Sequence, residues 1–192
     1  KVYTLTTATD GAGTGTLSPS DPVTATHGST VTITATPAAT SNRSGWSEAS
    51  CGTALTCDVN LTTDKTVTAT FAIKQLALTV ATVGSGTVTP ASGSHPYGSQ
   101  VTLTAVPANG WTFDAWSGAC VGEELTCTFT ITADSTVTAT FLAIPAYVLD
   151  VTTQGNGTVT SDPTGIDCGE ECTEVLLEGT VITLTATADA DS

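Results

Sequence analysis

The sequence predicts an all-β protein built from small repeated modules, and three observations support this prediction. The 192-residue chain contains 44 threonines, most of which alternate with valine, isoleucine, leucine or alanine. Thr, Val and Ile are β-branched and favour the pleated surface of a sheet. No apolar stripe recurs at the helical period of about 3.6 residues. In addition, one sequence pattern returns after seventy positions.

The strand prediction is clearest where apolar residues and threonines alternate strictly. Residues 31–35 and 101–105 follow this alternation, and residues 66–71 repeat it with Val67, Ala69 and Phe71 as the apolar members. A period of two places the apolar side chains on one face, toward a core, and the threonines toward water. Glycine-rich turns separate the predicted strands, because glycine tolerates the backbone conformations of tight hairpins.

The repeat is visible in motifs at matching positions. Trp46 and Trp116 begin equivalent motifs in which Trp-Ser is followed by two cysteines. Downstream of each, a Thr-Val-Thr-Ala-Thr-Phe segment ends at Phe71 and Phe141. Such self-similarity is the sequence signature of tandem repeats.

A third copy begins at Tyr147 but reaches Ser192 without a Trp-Ser motif or a Thr-Val-Thr-Ala-Thr-Phe segment. We therefore expect repeats at residues 1–73, 74–144 and 145–192, the last of them incomplete. The preferred interpretation is that a longer array continues beyond Ser192. The alternative is an unpaired sheet edge that recruits neighbouring copies of the chain.

Six cysteines fall into three close pairs, namely Cys51/Cys57, Cys120/Cys127 and Cys168/Cys172. A module of about 70 residues buries little apolar area, so disulfides worth roughly 2 kcal/mol each are an expected supplement. Zinc needs about four Cys or His ligands together, and the chain has only two histidines. We predict one disulfide per module, no metal and no other cofactor. Disulfides persist in oxidising compartments, which predicts an extracellular location.

The charge of the chain argues against two classes of partner. Its formal net charge is −14, with only four lysines and arginines. Nucleic-acid binding requires clustered basic residues that neutralise phosphates, so we predict no nucleic-acid partner. No apolar run approaches the ~20 residues needed to span a bilayer, which predicts no membrane insertion.

Residue patterns typical of catalysis are missing from the sequence. It has no Gly-x-Ser-x-Gly elbow, and His27 and His95 do not occupy matching repeat positions. We therefore predict that the chain is not an enzyme. The third copy concentrates carboxylates at Asp162, Asp167, Glu170, Glu171, Glu174 and Glu178. A solvated acidic loop is the preferred interpretation and calcium binding the alternative, although the spacing fits no twelve-residue calcium loop.

The three tryptophans fall into two classes. Trp46 and Trp116 recur at equivalent positions, which predicts framework residues that pack under the disulfide loops. Trp111 has Ser41 at the equivalent position. Together with Tyr97, Trp111 is a candidate ligand contact, as a platform for a sugar ring; the alternative is a peripheral hydrophobic cap.

Each copy carries ordered motifs: Tyr-x-Leu, a Gly-x-Gly-Thr-Val turn, Gly-x-x-Val-Thr-Leu-Thr-Ala, then Trp-Ser before a cysteine and Thr-Val-Thr-Ala-Thr-Phe. This order resembles the divergent internalin-B-type B repeat of bacterial extracellular proteins, over essentially the whole chain. The resemblance implies spacer or adhesive modules of a surface or secreted protein, without catalytic residues. The first copy departs from the second by placing Arg43 where Phe113 stands, which predicts a looser core there.

Taken together, we expect tandem small antiparallel β modules, sandwich-like or β-grasp-like without a clear helix. The leading functional hypothesis is a stalk or spacer that holds another domain away from a bacterial cell surface. The alternatives are a module that binds glycans or a host protein, and a subunit of a self-assembling extracellular filament.

Overall fold

The fold is all-β, as predicted from the sequence. A computed structural model describes residues 1–168 and 172–189. Within these residues the regular elements are eighteen strands and one short 3₁₀ turn, Ala49–Cys51. This part of the chain also contains no helix long and apolar enough to cross a bilayer.

Seven strands form the first repeat: β1 (Val2–Asp10), β2 (Gly15–Ser18), β3 (Val23–Thr26), β4 (Ser29–Pro37), β5 (Ser41–Trp46), β6 (Thr56–Leu61) and β7 (Lys65–Ile73). They build two sheets, with strand orders β3-β1-β7-β5 and β2-β4-β6. The pairings are antiparallel except that β1 and β7, the first and last strands, run parallel. The alternation pattern did not predict this parallel pair.

The core of the first repeat lies between its two sheets. Val67, Ala69 and Phe71 on β7 are buried, which confirms the inward face predicted for this strand. The other buried residues of the same cluster come from β1, β4, β5 and β6: Leu5, Ile33, Ala35, Trp46, Cys57, Val59 and Leu61. Both sheets therefore share one core, and the module is a two-sheet sandwich rather than a β-grasp.

The second repeat has the same seven strands: β8 (Gln75–Val83), β9 (Gly86–Thr89), β10 (Gly93–Pro96), β11 (Gln100–Pro107), β12 (Trp111–Gly118), β13 (Thr126–Thr130) and β14 (Ser135–Ala143). Their sheet orders, β10-β8-β14-β12 and β13-β11-β9, reproduce those of the first repeat. Arg43 pairs with Phe71, Phe113 pairs with Phe141, and the register shifts directly after Arg43 and Phe113 alike. The structure thus confirms that Arg43 and Phe113 are equivalent.

Four strands of the third repeat are described: β15 (Ala146–Asp150), β16 (Gly157–Asp162), β17 (Thr173–Leu177) and β18 (Thr183–Ala188). They form two antiparallel pairs, β15 with β17 and β16 with β18. These pairings match those of the first four strands in the complete repeats.

The chain forms two compact units whose boundary passes through the second repeat. The first unit contains Lys1–Thr79, Pro90–Thr102 and Thr128–Thr136, and the second contains Val80–Thr89, Leu103–Cys127 and Val137–Ser192. The junction between the first and second repeats therefore lies inside the first unit. The junction between the second and third repeats lies inside the second unit.

Candidate functional site

The cysteines form three disulfides, one in each repeat, as the fold prediction required. The pairs and their Cα–Cα distances are Cys51–Cys57 at 5.0 Å, Cys120–Cys127 at 6.2 Å and Cys168–Cys172 at 4.7 Å. The first two close equivalent loops that follow β5 and β12. The third closes a different loop, between β16 and β17, and residues 169–171 of that loop lie outside the described residues.

Each of the two equivalent disulfide loops is fixed by a buried tryptophan. The indole Nε1–H of Trp46 donates a hydrogen bond of 2.9 Å to the carbonyl oxygen of Ala54. The indole Nε1–H of Trp116 donates to the carbonyl oxygen of Glu124 at 2.8 Å. Buried indole groups need such a partner, and these bonds confirm the predicted framework role of both residues.

Trp111, the first candidate ligand contact, lies at the start of β12 and is half-buried. It lines a surface groove of 330 Å³ together with Pro107, Thr112, Phe113, Glu123, Leu125 and Ile144. Its ring also covers the turn before β9, because a Cβ built at Gly84 would lie 2.7 Å from the Trp111 Cζ3 atom. The indole is therefore both a wall of the groove and a cover for a glycine.

The first repeat solves the same packing problem without an indole. Ser41 is buried, and its Oγ accepts a hydrogen bond of 2.9 Å from the backbone N–H of Thr14. The glycine-rich turn here runs over five residues, 11–15, against three, 84–86, in the second repeat. Gly13 in the longer turn also donates its N–H to the carbonyl oxygen of Phe71 at 2.9 Å. The longer turn and the indole thus cover equivalent ends of the two sandwiches.

Tyr97, the second candidate ligand contact, belongs to the junction between the first two repeats. It is half-buried, and it lines a groove of 290 Å³ whose other residues are all in the first repeat: Ala12, Gly13, Thr14, Thr40, Ser41 and Ile73. This groove lies in the first compact unit, whereas the groove of Trp111 lies in the second. The two candidate ligand contacts therefore line different grooves.

The first junction consists of one residue that is hydrogen-bonded on both sides. The N–H of Lys74 donates to the carbonyl oxygen of Thr40, in the first repeat, at 2.9 Å. The carbonyl oxygen of Lys74 accepts from the N–H of Tyr97, in the second repeat, at 2.8 Å. The backbone of the linker is therefore part of the hydrogen-bonded structure of both modules.

The second junction repeats this arrangement with a two-residue linker. The N–H of Ile144 donates to the carbonyl oxygen of Gly110 at 2.9 Å, and the carbonyl oxygen of Pro145 accepts from the N–H of Glu178 at 2.7 Å. Gly110 is equivalent to Thr40, and Glu178 to Tyr97. The geometry at the two junctions is thus a property of the repeat rather than of one linker sequence.

Arg43 is the main electrostatic irregularity of the first repeat. Its guanidinium lies 5.3 Å from the ring centre of Trp46, and its Nη2 donates to the carbonyl oxygen of Gly52 at 3.3 Å. Nε and Nη1 are buried and have no hydrogen-bond acceptor among the described residues. Burial lowers the pKa of the Arg43 guanidinium from its usual value because it disfavours the charged form.

The acidic residues of the third repeat form no recognisable metal centre in the part of the chain that the structure describes. No group of three or more His, Cys, Asp or Glu side chains is placed there to hold an ion. Glu170 and Glu171, two of the carboxylates singled out in the sequence, lie outside the described residues. Calcium binding by this loop stays an untested alternative.

Two complete sandwiches with parallel closing strands, tryptophan-fixed disulfide loops and recurring junctions define a tandem array of extracellular-type β repeats. The family described as the divergent InlB B-repeat domain matches residues 3–75 and 76–145, more than half of the chain. The chain therefore belongs to this family, which confirms the resemblance seen in its motifs. No curated protein and no solved structure shows a significant match to the chain.

Proposed function

We propose that this chain is a non-catalytic stalk or spacer segment of a bacterial cell-surface or secreted protein. Membership of the B-repeat family supports a structural repeat, and the three disulfides are consistent with an extracellular location. Each complete repeat has its own buried residues and its own disulfide. A spacer of this kind transmits distance and orientation rather than chemistry.

The observation that carries the proposal is the hydrogen-bonded linker at each junction. A free glycine- or serine-rich linker behaves as a random coil and lets neighbouring domains reorient. Here Lys74 is bonded to Thr40 on one side and Tyr97 on the other, so reorientation of the two modules must break backbone hydrogen bonds. Short, bonded linkers suit a segment that keeps its modules in fixed succession.

The spread of the distance between two modules tests the proposal directly. Nitroxide labels on non-natural amino acids at Thr32 and Thr102, equivalent exposed positions in the first two repeats, avoid disturbing the disulfides. We expect a narrow distance distribution by pulsed electron spin resonance. An insertion of four Gly and Ser residues after Lys74 serves as the flexible control and should broaden it. An equally broad distribution in the unmodified chain would contradict a spacer role.

Binding at the Trp111 groove is the second candidate function. The groove combines an indole face with Phe113, Leu125 and the carboxylate of Glu123, and sugar rings pack well on such aromatic surfaces. A glycan array with the unmodified chain and with Trp111→Ala and Tyr97→Ala tests this candidate. Saturable binding that only Trp111→Ala abolishes, with folding retained, would favour a carbohydrate-binding module. No binding by any of the three proteins would favour the spacer.

A further inference from the structure

In both complete repeats, the closing strand places a phenylalanine directly on the glycine-rich turn. A Cβ built at Gly15 would overlap the ring of Phe71, and a Cβ built at Gly86 would overlap the ring of Phe141. The carbonyl oxygens of the same phenylalanines lie against Gly11 and Gly84, which have positive φ angles of 97° and 81°. These glycines are thus required for the close approach of the closing strand.

The third repeat has the same turn. Gly155, with a φ of 93°, and Gly157 stand at the positions of Gly84 and Gly86. The N–H of Asp189 donates to the carbonyl oxygen of Asn156, as that of Ala108 does to Ser85 in the second repeat. Among the described residues, none lies within 4 Å of a Cβ built at Gly155. Instead, residues 152–159 and 186–188 line a cavity of 330 Å³ at this turn.

Inward-facing residues of the third repeat are exposed where their counterparts are buried. Leu184 on β18 is 43% exposed, whereas the equivalent Leu103 is 0% exposed. Tyr147 on β15 is 60% exposed, whereas the equivalent Leu76 is 3% exposed. In addition, β15 has five residues, whereas β1 and β8 have nine. In the first repeat, the second half of β1 pairs with the closing strand β7.

A second contact fixes where the closing strand begins. The carboxylate of Asp64 accepts the backbone N–H of Thr4 at 2.7 Å, and the carboxylate of Asp134 accepts that of Ala77 at 2.8 Å. Each aspartate directly precedes or nearly precedes the closing strand of its repeat. The residue of the third repeat equivalent to Thr4 and Ala77 is Val148.

We propose that this face of the third repeat is a docking site for one extended polypeptide segment with the sequence character of β7 and β14. The segment runs parallel to β15, its valine and alanine cover Leu149 and Leu184, and its phenylalanine enters the cavity between Gly157 and Ala186. An aspartate at its start accepts the N–H of Val148. This is recognition by strand addition, in which backbone hydrogen bonds give affinity and side-chain pockets give specificity.

The burial of the chain's own closing strands argues against a second folded copy as the occupant. Val67 and Phe71 on β7, and Val137 and Phe141 on β14, are each at most 1% exposed inside their own repeats. A second copy would have to unfold a complete repeat before it could offer either strand. The occupant is therefore a segment that does not already close a repeat.

A peptide with the sequence of residues 133–144, titrated into the whole chain, tests the proposal. We expect saturable binding by calorimetry and slower amide hydrogen exchange over residues 147–154. Replacement of the phenylalanine of the peptide by alanine should weaken binding on the order of 100-fold, as expected for the loss of a buried ring. In the chain, Ala186→Phe fills the cavity and should abolish binding. Thr185→Phe, on the opposite face of β18, is the matched control and should leave binding unchanged.

Three results would overturn the proposal. The first is the absence of saturable binding to the unmodified chain. The second is equal binding of the phenylalanine and alanine peptides, or equal binding by the two chain variants, because neither result requires the cavity. The third is self-association of the chain without peptide, measured by sedimentation and abolished by Ala186→Phe, which would assign the site to a second copy.

Discussion

The first and second repeats share one backbone and differ at one end of the core. In the second repeat, Phe113 packs edge-on against Phe141 with ring centres 5.7 Å apart, and against Trp116 at 5.3 Å. In the first repeat, the equivalent side chain is the charged Arg43, which lies over the ring of Trp46. Both arrangements fit the same strand register with the same local shift.

This difference separates the features that define the repeat from those that vary within it. The closing phenylalanine, the glycine against which it packs, the indole-to-carbonyl hydrogen bond and the aspartate contact occur in both copies. The third aromatic position and the length of the glycine-rich turn differ between them. We expect substitutions of shared features to have similar effects in both repeats, and substitutions at the variable positions to have unequal effects.

The largest expected effect comes from the closing phenylalanine. Phe71→Ala and Phe141→Ala should each destabilise their own repeat by about 4 kcal/mol, because each removes a fully buried ring. Denaturant unfolding followed by tryptophan fluorescence measures this, since Trp46 reports on the first repeat and Trp116 on the second. A loss in one repeat but not in the other would show that the two cores are not equivalent.

The next effect tests the position where the repeats differ. Phe113→Arg should destabilise the second repeat by about 3 kcal/mol, because it removes a packed ring and introduces a desolvated charge. The reciprocal Arg43→Phe should stabilise the first repeat by about 1–2 kcal/mol, because two buried N–H groups without acceptors are replaced by a ring. The same unfolding experiment measures both changes. If Arg43→Phe destabilises the first repeat, the guanidinium contributes more through Trp46 and Gly52 than burial takes away.

The disulfides are expected to contribute about equally to the first two repeats. Cys51→Ala/Cys57→Ala and Cys120→Ala/Cys127→Ala should each reduce stability by about 2 kcal/mol, because the closed loops are nearly equal in length. Thermal unfolding of the oxidised chain and of each double variant gives the values. Reduction of the unmodified chain should reproduce the sum of the two, plus the contribution of Cys168–Cys172.

The sequence predicted the local features of the fold better than the non-local ones. A period of two is a local property of a strand, so it correctly placed Val67, Ala69 and Phe71 in the core. The parallel pairing of β1 with β7 joins strands about sixty residues apart, and no local pattern encodes such a pairing. The predicted framework roles of Trp46 and Trp116 were found because both residues recur at the repeat spacing.

The junctions illustrate why part of the candidate site was missed. The bonds that hold Lys74, Ile144 and Pro145 join backbone atoms, so they place little demand on residue type. The residues that donate to the linkers from the following repeat differ accordingly, with Tyr97 at one junction and Glu178 at the other. Their common signal is position: each directly precedes the glycine of the Gly-x-x-Val/Ile-Thr-Leu-Thr-Ala motif, and alignment of the repeats on that glycine would have identified them.

The smallest expected effect concerns the aspartate that caps the parallel strand pair. Asp64→Ala should destabilise the first repeat by about 1 kcal/mol, because the N–H of Thr4 loses its acceptor at an exposed edge. Asp134→Ala should have the same effect in the second repeat, because the contact with Ala77 has the same geometry. Asp64→Asn is the matched control: its amide oxygen can still accept the bond, so most of the stability should be retained. Amide hydrogen exchange at Thr4 should accelerate in the alanine variant only. If the asparagine variant loses as much stability as the alanine variant, the carboxylate acts through its charge rather than through this bond, and the contact is not what aligns the closing strand with β1.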